Sequence, residues 1–187
     1  MLTVTPASCR GCLGYSKQMA VTVLPGETMA YWLMKSEPAV YGIDDLQAAG
    51  TDCWDGVRNY QARNMLRDQM QPGDLAFFYH SNTKVPGIVG IMAIASAGYP
   101  DPSAFDPESK YYDPRSDAQT PRWFMVDVRY QRHLQRLLAL TELKRCPELA
   151  ELALVRQGNR LSIMPVTPAQ WEFMLALEGM PATPASG

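Results

Sequence analysis

The sequence predicts an α+β fold around a curved or barrel-like sheet, and three observations carry that prediction. Phe124, Val126, Val128 and Tyr130 alternate with Met125, Asp127 and Arg129, the two-residue period of a half-buried strand. The stretch 87–96 contains Ile-Val-Gly-Ile-Met-Ala-Ile-Ala, too continuously apolar for a strand with one wet face, so it belongs in the middle of the sheet. Helical patterns lie between the strand-like segments without the regular strand–helix–strand rhythm of a parallel sheet.

In chain order, strands are expected at 31–34, 74–80, 87–96 and 123–129. A short helix is expected at 43–49. A second, over 60–70, places Ala62, Met65, Leu66 and Met70 on one face and Arg63 with Arg67 on another. Gln71-Pro72-Gly73-Asp74 stops that helix and turns the chain into the next strand. The leucine-rich stretch 134–154 reads as two short helices broken at Pro147. Thr167 followed by Pro168 reads as an N-cap and first helical residue, opening a last helix over 168–177.

The 187 residues suffice for one ordinary domain with its own core. Hydrophobic residues make up 47% and charged residues 19%, which argues against a disordered chain. No apolar run is long enough to cross a bilayer, so no membrane partner is expected. The folded unit is expected over 29–180. Residues 1–28, lacking the pattern of a signal peptide, are expected to be a disordered or mis-assigned extension, and 181–187 a loose tail. Cys9 and Cys12 form a C-x-x-C pair, but the only histidines, His80 and His133, are far apart and no second pair completes a zinc site. The cysteines are therefore read as reduced thiols of a cytoplasmic protein, and no metal or other cofactor is expected.

Catalytic signatures are missing. Neither phosphate-binding glycine motif occurs, nor a G-x-S-x-G elbow. His80 and Ser81 are adjacent on a strand and so point to opposite faces, badly placed to act as base and nucleophile. No catalytic residue is assigned. What the sequence does offer is aromatic and polar chemistry at the ends of elements: Lys35-Ser36-Glu37-Pro38, Trp54 through Tyr60, Tyr79-His80-Ser81, and Arg160-Leu161-Ser162. Rings, amides, hydroxyls and guanidinium groups together can stack a planar heterocycle and hydrogen-bond its edge.

The same residues carry a resemblance. Tyr31-Trp32-Leu33-Met34-Lys35-Ser36-Glu37-Pro38 and Trp54-Asp55-Gly56-Val57-Arg58-Asn59-Tyr60-Gln61-Ala62-Arg63-Asn64 are similar to the signature blocks of the EVE domain. Phe77-Phe78-Tyr79-His80-Ser81, Tyr111-Tyr112-Asp113-Pro114, Pro121-Arg122-Trp123 and Arg160-Leu161-Ser162 continue the likeness in order. The resemblance implies a PUA-like fold, a mixed, partly closed β-barrel with surrounding helices. It also implies a non-catalytic reader that binds a flipped modified base, above all modified cytosine in DNA, in an aromatic pocket. The alternative is an RNA-binding or RNA-processing module of ASCH or YTH type, with or without nuclease activity. Implied partners are modified DNA or RNA and a separate effector nuclease or RNA-processing enzyme.

Roles are then assigned by chemistry. Trp54 and Tyr79 are candidates for the pocket wall, with Trp32 and Tyr60 as further rings. Asn59 carries both donor and acceptor for a base edge, and Ser36, Ser81 and Ser162 offer adaptable hydroxyls. Lys35, Arg58 and Arg160 are candidates for phosphate or rim contacts. Charge sharpens the picture. The chain totals −2, yet residues 122–160 hold 8 basic against 4 acidic side chains, a local surplus that could steer phosphate.

Overall fold

The computed structural model describes residues 29–181. The expectations for 1–28, including the Cys9–Cys12 pair, and for the residues after 181 lie outside the described residues. In chain order the elements are β1 (Tyr31–Ser36), α1 (Ile43–Ala49), β2 (Thr51–Trp54), α2 (Tyr60–Asn64), β3 (Leu75–His80), β4 (Gly87–Ile94) and β5 (Tyr99–Pro100). They are followed by β6 (Phe124–Ala139), α3 (Leu140–Leu143), β7 (Ile163–Val166) and α4 (Pro168–Glu178).

Among the described residues the strands form one mixed sheet in the order β2-β6-β4-β3-β1-β7, with β5 pairing the start of β6. The path is open, ending at β2 and β7, and only β1 and β3 run parallel. Alternation along the central strands sends side chains to two cores. Trp32, Met34 and Phe78 face one side with α1, α2 and Trp54. Leu33, Phe77 and Tyr79 face the other, under Trp171, Met174 and Leu177 of α4. Covering both faces is why these strands read as nearly unbroken apolar runs.

Local chemistry sets the helix ends. Thr167 and Gln170 form a reciprocal capping box at α4, with Pro168 in its first turn. Asn59 caps α2, its side-chain oxygen accepting the Ala62 N–H at 3.0 Å. The expected 60–70 helix continues from α2 into a π-turn over Met65–Gln69, which keeps Leu66 and Met70 in the core.

The helical reading of 134–154 is corrected. β6 runs on to Ala139, then come only the short α3 and a 3-10 turn at Pro147–Leu149. Leu134 and Leu138 are both buried, and a spacing of four residues is one helical turn and also two strand repeats. Pairing decided the matter: Ile88 opposes Leu138 and Gly87 opposes Ala139, extending β6 along all of β4. The strand bends through register shifts beside Gly90 and between Ile91 and Met92. Its basic residues fasten α4. Arg132 holds Glu178 bidentately at 2.7 and 2.9 Å, and Arg136 holds Glu142 at 2.8 Å twice while capping the Leu177 carbonyl.

Candidate functional site

Four stretches distant in sequence meet at one end of the sheet. Because β1 and β3 are parallel, their C-terminal ends lie side by side, Ser36 opposite His80. Leaving β3, Ser81 donates its backbone N–H (2.8 Å) and its hydroxyl (3.1 Å) to the Ser36 carbonyl. On the other side of β1, the Lys35 N–H donates to the Ser162 carbonyl at 2.8 Å, which brings residues 160–162 to the same edge. The end of β2 and the turn through Arg58 close the remaining side. Together they enclose a cleft of about 620 Å³, of ordinary size for a small ligand.

Aromatic rings form much of the walls, and a buried carboxylate ties the turn after β2 to the loop that carries Tyr111. Trp54 is only 7% exposed and packs edge-on against Phe78, 5.3 Å between centroids. Gly56 has φ +72°, and a Cβ there would sit 2.5 Å from Cζ of Tyr111. Only glycine, then, lets the Tyr111 ring lie on that turn. Asp101, fully buried, accepts the Gly56 N–H at 3.0 Å and Nη1 of Arg58 at 2.7 Å. Arg58 also donates through Nε to the Tyr111 carbonyl (2.8 Å) and through Nη2 to Ser103 (3.0 Å). The long loop 101–123 is thereby stapled to the turn after β2. Tyr41 adds a further ring, its hydroxyl donating to Asp52 at 2.9 Å.

The electrostatics of the cleft are mixed. Lys35, Lys110 and Arg160 line it, and none has a carboxylate partner among the described residues. Burial pushes the Lys35 ammonium below its ordinary pKa. Burial, and then the Asp101 charge, hold the Asp55 carboxyl above the usual carboxylate range. The Tyr41 hydroxyl is pushed well up, by burial first and by its bond to Asp52 second. Such a site can stack a flat ring, donate to anions from its rim, and accept from an amino group at Asp55.

Of the residues expected at a pocket, Ser36, Trp54, Ser81, Ser162, Lys35, Arg58 and Arg160 line the cleft. Four do not. Tyr79 neighbours Phe78 on β3 and so faces the opposite core. Trp32 sits at the far end of β1, its indole N–H donating to buried Asp74 at 2.9 Å. Asn59 spends its side-chain oxygen on the α2 cap. Tyr60 lies outside the cleft, stacked on Trp123 at 4.9 Å. Arg58 lines the cleft but directs its donors into the protein, a brace rather than a free rim cation. Sequence reasoning missed Tyr41, Asp52, Asp55, Lys110 and Tyr111. The signals for two of them were the unusual length of the 101–123 loop and a glycine inside a motif.

His80 accepts the Ile43 N–H through Nε2 at 3.2 Å, and burial lowers its pKa. With Ser81 bonded to Ser36, the adjacent pair serves structure. Among the described residues no group of three or more His, Cys, Asp or Glu could hold a metal ion. No helix there is long and apolar enough to cross a membrane.

The family model described as the EVE domain matches residues 30–177. The chain belongs to the EVE domain family. This EVE protein is 46% identical over 166 residues to Thymocyte nuclear protein 1 of Danio rerio, which covers 79% of this chain and 71% of the relative. The Homo sapiens protein of that name is 44% identical over 168 residues, covering 80% and 74%. Among solved structures, a Pseudomonas syringae protein matches with TM-score 0.78 and 50% identity over 80% of this chain and 99% of its own. The crystal structure of human THYN1 protein in complex with 5-methylcytosine containing DNA matches the EVE chain with TM-score 0.76 and 42% identity. That match covers 82% of this chain and 99% of the human one.

Proposed function

We propose that this EVE domain, residues 29–180, is a non-catalytic reader that takes a flipped modified base, a modified cytosine in DNA, into the cleft. One observation carries the reading: a cleft lined by rings and by Lys35, Lys110 and Arg160, which form no ion pair among the described residues, in a chain 42% identical to a protein solved with 5-methylcytosine containing DNA. Trp54 and Tyr111 offer the flat surfaces. Asp55 offers an acceptor for the exocyclic amine of cytosine, the usual way a carboxylate recognises that base. Ser36, Ser81 and Ser162 supply hydroxyl groups around the edge, and Lys35, Lys110 and Arg160 meet the phosphates beside the flipped nucleotide.

The PUA-like, partly closed barrel is the fold we infer for this platform. The bends of β6, which pairs β4, β2 and β5 along its length, support a sheet curling on itself. A reader without chemistry of its own reports to a separate effector, a nuclease or RNA-processing enzyme, in the cytoplasm.

Energetics limits the selectivity. A methyl filling an apolar nook is worth about 1–3 kcal/mol, so the modified base should be preferred by roughly 10- to 200-fold. The test is a panel of modified and plain DNA and RNA oligonucleotides, incubated with the protein and examined for binding and for cleavage. Selective binding to modified DNA without cleavage supports the proposal. Cleavage by the protein alone overturns the reader assignment, and a preference for RNA regardless of modification supports the RNA-module alternative.

A further inference from the structure

A second group of cations, without ion-pair partners among the described residues, lies beyond the cleft. The half-exposed Tyr60 ring is stacked on Trp123, 4.9 Å between centroids and 27° apart. The Arg63 guanidinium lies 5.1 Å from that ring, and Nη1 of Arg122 donates to the Tyr60 hydroxyl at 3.3 Å. Nη1 of Arg63 donates to the Arg122 carbonyl at 2.5 Å, fixing the two residues together. Neither Arg63 nor Arg122 forms an ion pair with a carboxylate among the described residues. Asp68, the nearby acid, is taken by Nε and Nη2 of Arg67. Burial first, and then repulsion from Arg67, lower the Arg63 pKa, with Tyr60 and Asp68 opposing and Arg122 adding a smaller push down.

This face is continuous with the cleft. Arg58, which lines the cleft, stands 5.4 Å from the Tyr111 ring and 5.5 Å from the Trp123 ring. A row of rings and guanidinium groups thus runs from Tyr111 through Arg58, the buried Trp123 and Tyr60 to Arg63. Arg63 and Arg122, which form no ion pair among the described residues, leave a positive potential that a polyanion neutralises. A neighbouring protein surface would have to bring its own carboxylates, whereas a nucleic-acid strand leaving the cleft already brings phosphates.

We propose that Tyr60, Arg63 and Arg122 form a second contact site, for backbone phosphates of the nucleic acid flanking the base held in the cleft. This rests on the reading of the cleft as a base pocket. The sequence carried a trace of it in the i, i+4 pair Arg63 and Arg67, although Arg67 turns out to be occupied by Asp68.

The test is the salt dependence of binding to a DNA duplex carrying 5-methylcytosine. Each phosphate neutralised contributes about −0.9 to the slope of log affinity against log salt. The double variant Arg63→Gln/Arg122→Gln should make the slope shallower by roughly 1.8, while the preference for methylated over plain duplex is kept. Arg63→Lys/Arg122→Lys, which keeps the charge, should retain the slope. Because Arg63 also braces the loop, Arg122→Gln alone provides a variant with that brace intact, and it should shift the slope by about 0.9. Retained discrimination with an unchanged slope in the Gln variants overturns this second site alone. Failure of the unaltered protein to discriminate overturns the base-pocket reading instead.

Discussion

Two regions of the molecule use basic side chains in opposite ways. Along β6, Arg132 grips Glu178 of α4 and Arg136 grips Glu142 of α3, each carboxylate nearly buried and held by two hydrogen bonds, and their charge is consumed in fastening these helices. At the cleft, Lys35, Lys110 and Arg160 form no ion pair among the described residues, and their charge remains available. Composition treats these residues alike. The surplus expected over 122–160 is therefore not one patch: Arg132 is paired by Glu178 from outside the segment, Arg136 by Glu142 and Arg156 by Glu151, while Arg160 belongs to the cleft. The partner, not the cation, decides whether a basic residue serves stability or binding.

The comparison can be broken by substitution. The largest effect is expected at Trp54, which belongs to both worlds because it lines the cleft and packs on Phe78. Trp54→Ala should destabilise the fold by about 3–5 kcal/mol in denaturant unfolding, beyond any loss of binding. Trp54→Phe, which keeps a ring in the core, isolates the stacking contribution. Its effect should appear mainly in titrations with modified oligonucleotides.

The two classes of arginine should then separate. Arg132→Ala leaves the Glu178 carboxylate short of its partner and should cost about 1–3 kcal/mol of stability with oligonucleotide affinity unchanged. Arg160→Ala should show the reverse, stability within about 0.5 kcal/mol of the parent and affinity weakened about tenfold or more. If Arg160→Ala instead unfolds the protein while binding survives, the distinction between the regions collapses.

A smaller effect concerns pH. Hydrogen bonds from Arg132 hold the Glu178 carboxyl below its usual 4.5. Its contribution is thus complete above about 4.5 and lost as pH falls through the lower folded-state value. In Arg132→Ala that depression is relieved, so acid unfolding should begin at higher pH than in the parent, measurable by circular dichroism. The smallest change is Asp55→Asn. It replaces an acceptor-only carboxylate with an amide and should weaken the preference for cytosine over thymine without altering the unfolding profile much.

Much of this organisation was legible in the residues. α1 runs from Ile43 to Ala49 as its pattern predicts, and the Thr167–Pro168 signal opens α4 where capping chemistry places it. The four segments chosen for their polar and aromatic ends do converge on one cleft. What escaped has physical causes. β2 and β7 span four residues each, too short for a period to declare itself. The Leu134–Leu138 spacing suits helix and strand equally, and only the partner strand β4 resolves it. Tyr79 and Ser81, two residues apart, would share a face of a continuing strand, yet β3 ends at His80, so the ring stays in the α4 core while Ser81, past the strand end, sits at the cleft. Tyr111 and Asp101 act through contacts more than forty residues away, which local reading does not reach.

The most direct test of the base-reader account is a titration of two duplexes identical except for one 5-methylcytosine in place of cytosine. The account predicts tighter binding of the methylated duplex, by roughly 10- to 200-fold, with the preference reduced in Trp54→Phe. Equal affinity for the two duplexes would contradict it.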